Sequence, residues 1–385
     1  MNNDLLTIGI PTEIKDHENR VAATPETVKK MLALGCQVIV QKGAGERASI
    51  TDAAYLAAGG TIVSAEDVYQ ANIILKVRAP QANEISGVSA GTALIGLLEP
   101  YNQTQLQLIA QQGITAFALE ALPRSSRAQS MDVLSSQANV AGYKAVLLAS
   151  HFYQRFMPML MTSAGTVKAA RVLILGAGVS GLQAIATARR LGAVVEASDV
   201  RPAVKEQIES LGAKFLDVPY ETEEEKEAAA GVGGYARAMP ASWMARQAAL
   251  VALRAAESDI VISSALVPGS EPPILIDPET VAKMKPGSVI IDMAAGSGSL
   301  TLGSKGAGNC PLTEANQVVV KHGVTIVGYT NLPSLVAADA SAFYARNILE
   351  FLKLLILDGK FNIPADDELV TASLMCKDGK LIEKK

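Results

Sequence analysis

Arg171-Val172-Leu173-Ile174-Leu175-Gly176-Ala177-Gly178-Val179-Ser180-Gly181 is the stretch whose reading decides the fold. Val172 to Leu175 form a short β-branched and aliphatic run, as a strand buried in a parallel sheet requires. Gly176 suits the tight turn, Gly178 leaves room for a pyrophosphate, and Gly181 lets the next helix pack closely on the strand. That helix is expected from about Gly181 to Leu191. Its first-turn N–H groups, with Val179 and Ser180 at the turn, and its dipole would face the phosphates.

A second strand, Ala193 to Ala197, leads into Ser198-Asp199-Val200-Arg201. Asp199 follows Gly176 by 23 positions, close to the roughly 20 expected of a ribose-binding acid. A carboxylate there accepts hydrogen bonds from the adenosine ribose hydroxyls and repels a 2′-phosphate, which favours NAD over NADP. Arg201 pulls the other way, because an arginine nearby accommodates a 2′-phosphate. Glycine-rich turns are common, and the plain alternative is a βαβ unit whose glycines serve only the turn. Strand, helix, second strand and acid in sequence favour a bound dinucleotide.

The chain has 385 residues and 49% hydrophobic content, which suits two domains of ordinary size. A formal net charge of −4 without a basic cluster argues against nucleic acid as a partner. Cys36, Cys310 and Cys376 are an odd number at wide spacings, so a reducing compartment is expected, with neither a disulfide framework nor a zinc site. Asn2-Asn3-Asp4 is polar and acidic, unlike a signal peptide. No apolar run reaches the roughly 18 residues that cross a bilayer. Ile348 to Leu357 contains Glu350 and Lys353 and reads as an amphipathic helix, so no direct membrane insertion is expected.

Working outward, the first 120 residues alternate between strand and helix signals: strands at Leu6 to Ile10, Gln37 to Val40, Ile73 to Val77, Thr92 to Leu98 and Ile114 to Leu119. Pro25 to Leu34 reads as a helix with Thr24 as N-cap, and Thr51-Asp52 begins another. Ala138 to about Tyr153 reads as one long helix, and Met157 to Thr166 as an irregular segment. Beyond Asp199 come a helix (Ala203 to Leu211) and a strand (Lys214 to Val218). Pro219 to Pro240 offers no packed element, which suggests a functional loop, a linker or a solvated insertion. Strands resume at Asp259 to Ser263, Ser288 to Asp292, Val318 to Val320 and Thr325 to Val327, and Ala337 to Ile356 reads as a long helix. The pattern is α/β: two Rossmann-like domains with parallel sheets, linked by long helices, with the ligand in the cleft between them. The expected division is 1–136 plus 345–385 against 137–344.

Acid–base machinery is scarce. His17 lies in a polar loop, His151 in a helical stretch and His322 in a turn between late strands; none has a nucleophile nearby in sequence. The polar density lies in Pro123 to Gln137, rich in Arg, Ser, Gln and Asp, after a strand and before a helix. Such a run sits at the C-terminal edge of a sheet, where open α/β folds bind ligands, and its side chains suit a nicotinamide carboxamide. The alternative is a hydrogen-bonded loop that caps the following helix. Ala265 and Leu266, within Ser264 to Gly269, either line the dinucleotide or form a turn.

At these residues the chain resembles a known family. Ser126 to Asp132, Ala138 to Tyr143, the fingerprint with Ser198-Asp199-Val200-Arg201, Gly233-Gly234-Tyr235-Ala236, Met284 to Ser288 and Gly308-Asn309-Cys310-Pro311 recur in order. Together they resemble the NAD(H)-binding component (domain I, alpha subunit) of proton-translocating NAD(P) transhydrogenase, over nearly the whole chain. The resemblance implies that Arg124, Gln129, Asp132 and Ser135 contact and orient the nicotinamide end. It implies that Asp199 holds the adenosine ribose and that Tyr235 sits on a mobile loop closing over the nucleotide. It further implies that hydride passes from NADH here to NADP⁺ on a separate component, driven by proton flow through a membrane component. Ending at Lys385 without a spanning helix, the chain resembles the form in which this component is a separate subunit. That form is a homodimer, cytoplasmic and held peripherally at the inner membrane by its partner subunits.

The alanine dehydrogenases share the fold and the Asn19-Arg20-Val21-Ala22 region. Where that family has a substrate-binding lysine this chain has Arg78; its catalytic His falls near Leu97 and its Asp near Gly296. Oxidative deamination needs a positioned proton acceptor besides the hydride acceptor. Hydride transfer between two nicotinamides needs only approach, orientation and exclusion of water. One departure from the transhydrogenase pattern is Met293 to Ala307, Gly/Ser-rich and longer than the family's usual stretch.

Overall fold

A computed structural model describes residues 5–230, 239–266, 271–297 and 306–383. The chain divides into two compact units, Met1–Gln137 with Pro333–Lys385, and Ala138–Leu332.

The first unit begins with β1 (Thr7–Ile10), β2 (Gln37–Gln41), β3 (Thr61–Val63), β4 (Ile73–Arg78), β5 (Ala93–Leu97) and β6 (Thr115–Ala118). They pair in parallel in the order β3-β2-β1-β4-β5-β6, with Ile8 of β1 opposite both Val38 and Ile73. This is the doubly wound order, whose reversal between β1 and β4 is the fold's topological switch point. Strands β4 and β5 are apolar throughout save Lys76 and Arg78, as burial on both faces demands. The Pro25–Ala33 helix starts as its sequence predicts: Thr24 Oγ accepts from the Thr27 amide, and Thr27 Oγ accepts from the Thr24 amide at 2.9 Å. Thr24→Ala removes that reciprocal cap, and we expect it to cost about 1 kcal/mol, read as a lower denaturation midpoint. An unchanged midpoint would show that packing alone fixes this helix end.

The second unit is entered along the Val133–Phe152 helix, which begins five residues earlier than its apolar spacing indicates. The segment expected to be irregular instead carries a hairpin, β7 (Leu160–Thr162) against β8 (Gly165–Val167). Three-residue strands are too short to show an alternation, which is why the pattern hides them. Then come β9 (Arg171–Leu175), β10 (Val194–Ser198), β11 (Lys214–Phe215), β12 (Ile260–Ser263), β13 (Val289–Asp292), β14 (Val318–Lys321) and β15 (Val324–Val327). Their order is β11-β10-β9-β12-β13-β15-β14, all parallel except β14, so the winding again reverses beside its first strand, β9.

Two helices stand where no packed element was expected or read. Glu223–Ala230 lies inside the charged stretch, and Ala241–Glu257 buries Trp243, Gln247, Val251 and Ala255 at a spacing of four. The Glu run was misleading because Glu225 is buried and paired rather than solvated.

The chain returns to the first unit at Pro333. The helix Ala337–Leu355 adds Tyr344, Ile348, Leu349, Phe351, Leu352 and Leu355 to the first unit's core. A division at 345 would cut that helix, and its apolar face moves the boundary to 333. After a short hairpin, β16 (Ile356–Leu357) with β17 (Lys360–Phe361), come β18 (Leu374–Lys377) and β19 (Lys380–Leu381). They extend the first sheet antiparallel beyond β6, so both sheets are parallel with antiparallel margins.

Candidate functional site

The two sheets offer two switch points, and their chemistry differs. In the second unit, β9 ends at Gly176, whose backbone takes φ 94, a region that favours glycine. A Cβ there would lie 2.9 Å from Ser264 Oγ at the end of β12, so the turn and the neighbouring strand end are in contact. A Cβ on Gly178 would meet nothing within 4 Å, while one on Gly181 would lie 1.9 Å from the Gly176 carbonyl oxygen. The three glycines thus have separate jobs: the turn, open space above the helix N-terminus, and close packing of helix on strand. The helix itself runs Val179–Arg190, with Val179 exposed and Ser180 half-buried at its first turn.

Beside this turn lies a cavity of about 290 Å³ lined by Ala177, Gly178, Val179, Leu182, Arg201, Ala203, Val204 and Gln207. Asp199 follows β10 next to it. Its Oδ2 accepts from the Ala177 amide at 2.7 Å, and its Oδ1 from the Arg201 amide at 2.9 Å. Arg201 closes on the same carboxylate with both arms, Nε to Oδ1 at 3.0 Å and Nη2 to Oδ2 at 2.9 Å. Burial pushes the Asp199 carboxyl up, but the donors from Arg201 and Ala177 outweigh it and hold it below its ordinary value. Val200 between them is exposed.

Ala265 is fixed by Asn309, which accepts from its amide at 3.1 Å and donates to its carbonyl at 2.8 Å. Asn309 is held in turn by Asp292, almost wholly buried, which accepts from the Asn309 and Cys310 amides at 3.0 Å and the Thr313 hydroxyl at 2.7 Å. Sequence reading named the Gly308-Asn309-Cys310-Pro311 run and the acid closing β13 separately, without joining them. Leu266 is exposed. Residues 298–305 of the Gly/Ser-rich stretch lie outside the described residues, as does Tyr235.

The first unit's switch point carries buried, paired charges. Glu13, just past β1, accepts from the Val77 amide at 2.6 Å and the Arg78 amide at 3.3 Å, both on β4. Lys76, 1% exposed, pairs with Glu84 at 2.6 Å and Glu13 at 3.3 Å. Burial presses the Lys76 ammonium down, but Glu13 and Glu84 hold it above its usual value. At this switch point a buried carboxylate and its cation face one another, whereas the second has a glycine turn with open space at Gly178. The neighbouring Glu18 takes both Nε and Nη2 of Arg20, at 2.7 and 2.6 Å, and Arg20 Nη1 donates to Gln137 Oε1 at 2.7 Å.

The polar run after β6 takes a definite form. Ser126–Met131 is a 3₁₀ turn, tied down by Arg127 to Asp367 and by Asn347 Nδ2 to the Ser130 carbonyl at 2.7 Å. Asp132 caps the Val133–Phe152 helix: its Oδ1 accepts from the Ser135 amide at 2.8 Å and its Oδ2 from the Ser135 hydroxyl at 2.5 Å. Arg124 and Gln129 are exposed, and among the described residues their side chains make no hydrogen bond. The structure therefore brings Asp132 and Ser135 together as a cap and leaves Arg124 and Gln129 as free donors on the same run. The histidines are elsewhere: His17 and His322 hold positive φ, and His151 meets the edge of Phe152.

Residues 9–141 match the family model described as alanine dehydrogenase/PNT, N-terminal domain, and residues 145–384 its C-terminal counterpart. A relative from Rhodospirillum rubrum, the first section of an NAD(P) transhydrogenase alpha subunit, is 47% identical, with 98% of each chain covered. The crystal structure of transhydrogenase from Sinorhizobium meliloti superposes with a TM-score of 0.83 at 44% identity, covering 98% of each chain. An alanine dehydrogenase from Halomonas elongata is 32% identical over 98% of this chain and 94% of its own.

Proposed function

We infer the function from one premise: the chain belongs to the alanine dehydrogenase/PNT family, and its nearer kinship, at 47% against 32% identity, is with NAD(P) transhydrogenase alpha subunits. It is thereby an oxidoreductase component of a multi-subunit nicotinamide-nucleotide enzyme. Our reading is that this chain holds NAD(H) and passes hydride from NADH to NADP⁺ held on a partner component, coupled to proton movement through a membrane-spanning one. Among the described residues no helix is long and apolar enough to cross a membrane. We propose a homodimer that meets the inner membrane through its partner subunits.

The observation that carries the reading is the glycine turn at the second switch point with Asp199 beside it. The open space at Gly178 and the helix N-terminus at Val179 and Ser180 suit a pyrophosphate. Asp199 and Val200-Arg201 suit the adenosine ribose, and Ala265 and Leu266 the run of the dinucleotide past β12. Arg124 and Gln129 have donors to spare for a carboxamide, while Asp132 and Ser135 keep that run in place at the helix start. Bound dihydronicotinamide supplies the hydride, and the residues' task is to orient the ring and keep water out. Tyr235 is proposed to help close the site.

The alternative of an alanine dehydrogenase-like enzyme draws support from Arg20, but that guanidinium is already bonded to Glu18 and Gln137. Leu97 and Gly296 also bring no acid–base group where that chemistry needs one.

Calorimetric titration of the purified chain with NADH and NADPH tests the reading. Preference for NADH, a dimeric mass and no alanine-dependent reduction of NAD⁺ are expected. Preference for NADPH would move the chain to the other side of the reaction. In the assembled complex, Gln129→Ala is expected to slow hydride transfer about tenfold while changing NADH affinity far less. Loss of affinity alone would remove Gln129 from the orienting role.

A further inference from the structure

We propose that Arg201 is a built-in competitor for the adenosine-ribose subsite, holding the two carboxylate positions that a ribose diol takes and thereby setting nucleotide affinity and selectivity. The inference rests on the NAD(H) reading and adds a residue whose sign of effect that reading does not give.

A carboxylate has about four acceptor positions. On Asp199 the Ala177 and Arg201 amides fill two, and these are fixed by the chain. The Arg201 side chain fills the other two through Nε and Nη2. A ribose with free 2′- and 3′-hydroxyls brings two donors, one for each arm of the guanidinium, and must displace both. The carboxylate is 6% exposed while the arginine is 36% exposed, so the acid is anchored and the cation is the part free to leave. It lines the same cavity as Gly178 and Val179, and among the described residues two of its five side-chain donors are used.

Paired, the two side chains carry no net charge, which weakens the repulsion Asp199 offers a 2′-phosphate, and the guanidinium, which lines the cavity and is 36% exposed, keeps donors for a phosphate. A ribose that carries a 2′-phosphate has one hydroxyl donor fewer for Asp199. The pair is thus a compromise: it lowers affinity for the diol and leaves tolerance for the phosphate.

The test is calorimetric titration of the full chain and its Arg201→Ala and Arg201→Gln variants with NADH and with NADPH. Arg201→Ala is expected to bind NADH about threefold more tightly, the scale of a half-exposed ion pair removed from competition. NADPH is expected to bind more weakly, so that the preference for NADH widens by about tenfold. Arg201→Gln, which keeps length and one donor, is expected to lie between the two proteins, and unfolding midpoints check that each variant is folded. NADH affinity unchanged or weakened in Arg201→Ala overturns the competition, and NADPH affinity that holds or improves overturns the selectivity. A wild-type chain that binds no NADH overturns the reading of the site, and the inference with it.

Discussion

Lys76→Met is expected to destabilise the chain by about 3–5 kcal/mol, the scale for breaking a buried ion pair by removing one partner. Lys76 is 1% exposed on β4 and stands between Glu13 and Glu84, with the Tyr69 hydroxyl also on Glu84 at 2.8 Å. Methionine fills the space but leaves two buried carboxylates without their cation. Burial already raises the Glu13 carboxyl, against the pull of Lys76, and losing that pull raises it further. A carboxyl whose folded value lies above its unfolded value of about 4.3 stabilises the protein fully below that pH and ceases to do so as pH rises through the folded value. The variant's deficit is therefore largest at neutral pH and shrinks toward pH 4. Denaturant unfolding at pH 7 and pH 5 measures both; a deficit below about 1 kcal/mol, or one that grows on acidification, would show that Lys76 is not the cation that neutralises this crevice.

That crevice also shows what the sequence makes legible and what it hides. The glycine turn, its strand and Asp199 are local features, each read from a dozen residues, and they give the strand–turn–helix at the second unit's switch point. Arg201 was legible as a neighbour of Asp199, but its bidentate closure on the acid is a rotamer outcome that spacing does not give. Lys76 lies inside the strand read at Ile73 to Val77, but its pairing with Glu13, from the loop after β1, and with Glu84, from a short helix eight residues on, is not given by spacing. Asp292 and Asn309, which set Ala265, are likewise joined only in three dimensions. The Glu223–Ala230 helix failed to show because charged composition outweighed the burial of Glu225, and the hairpin β7–β8 because three residues carry no period. In the polar run the sequence offered two readings, a nicotinamide contact or a helix cap. Asp132 and Ser135 form the cap, and Arg124 and Gln129 are exposed on the same run.

Asp199→Ala is expected to weaken NADH binding by about 1–3 kcal/mol, roughly ten- to a hundredfold, the cost of stranding buried polar partners. The substitution removes the acceptor for two ribose hydroxyls and leaves the buried Ala177 amide without the oxygen it meets at 2.7 Å. It also frees Arg201 from its pair, so NADPH affinity is expected to hold or rise and the preference for NADH to collapse. Stability gives an independent reading. The donors around Asp199 hold its carboxyl below the ordinary value, so its contribution is present above about pH 4 and disappears as pH falls through the lowered folded value. Wild type and variant should therefore differ most at neutral pH and converge in strong acid. Equal loss of NADH and NADPH would mean that Asp199 supports the turn at Ala177 rather than the ribose. Unchanged affinity for both would move the nucleotide away from β10, and with it the site proposed at the second switch point.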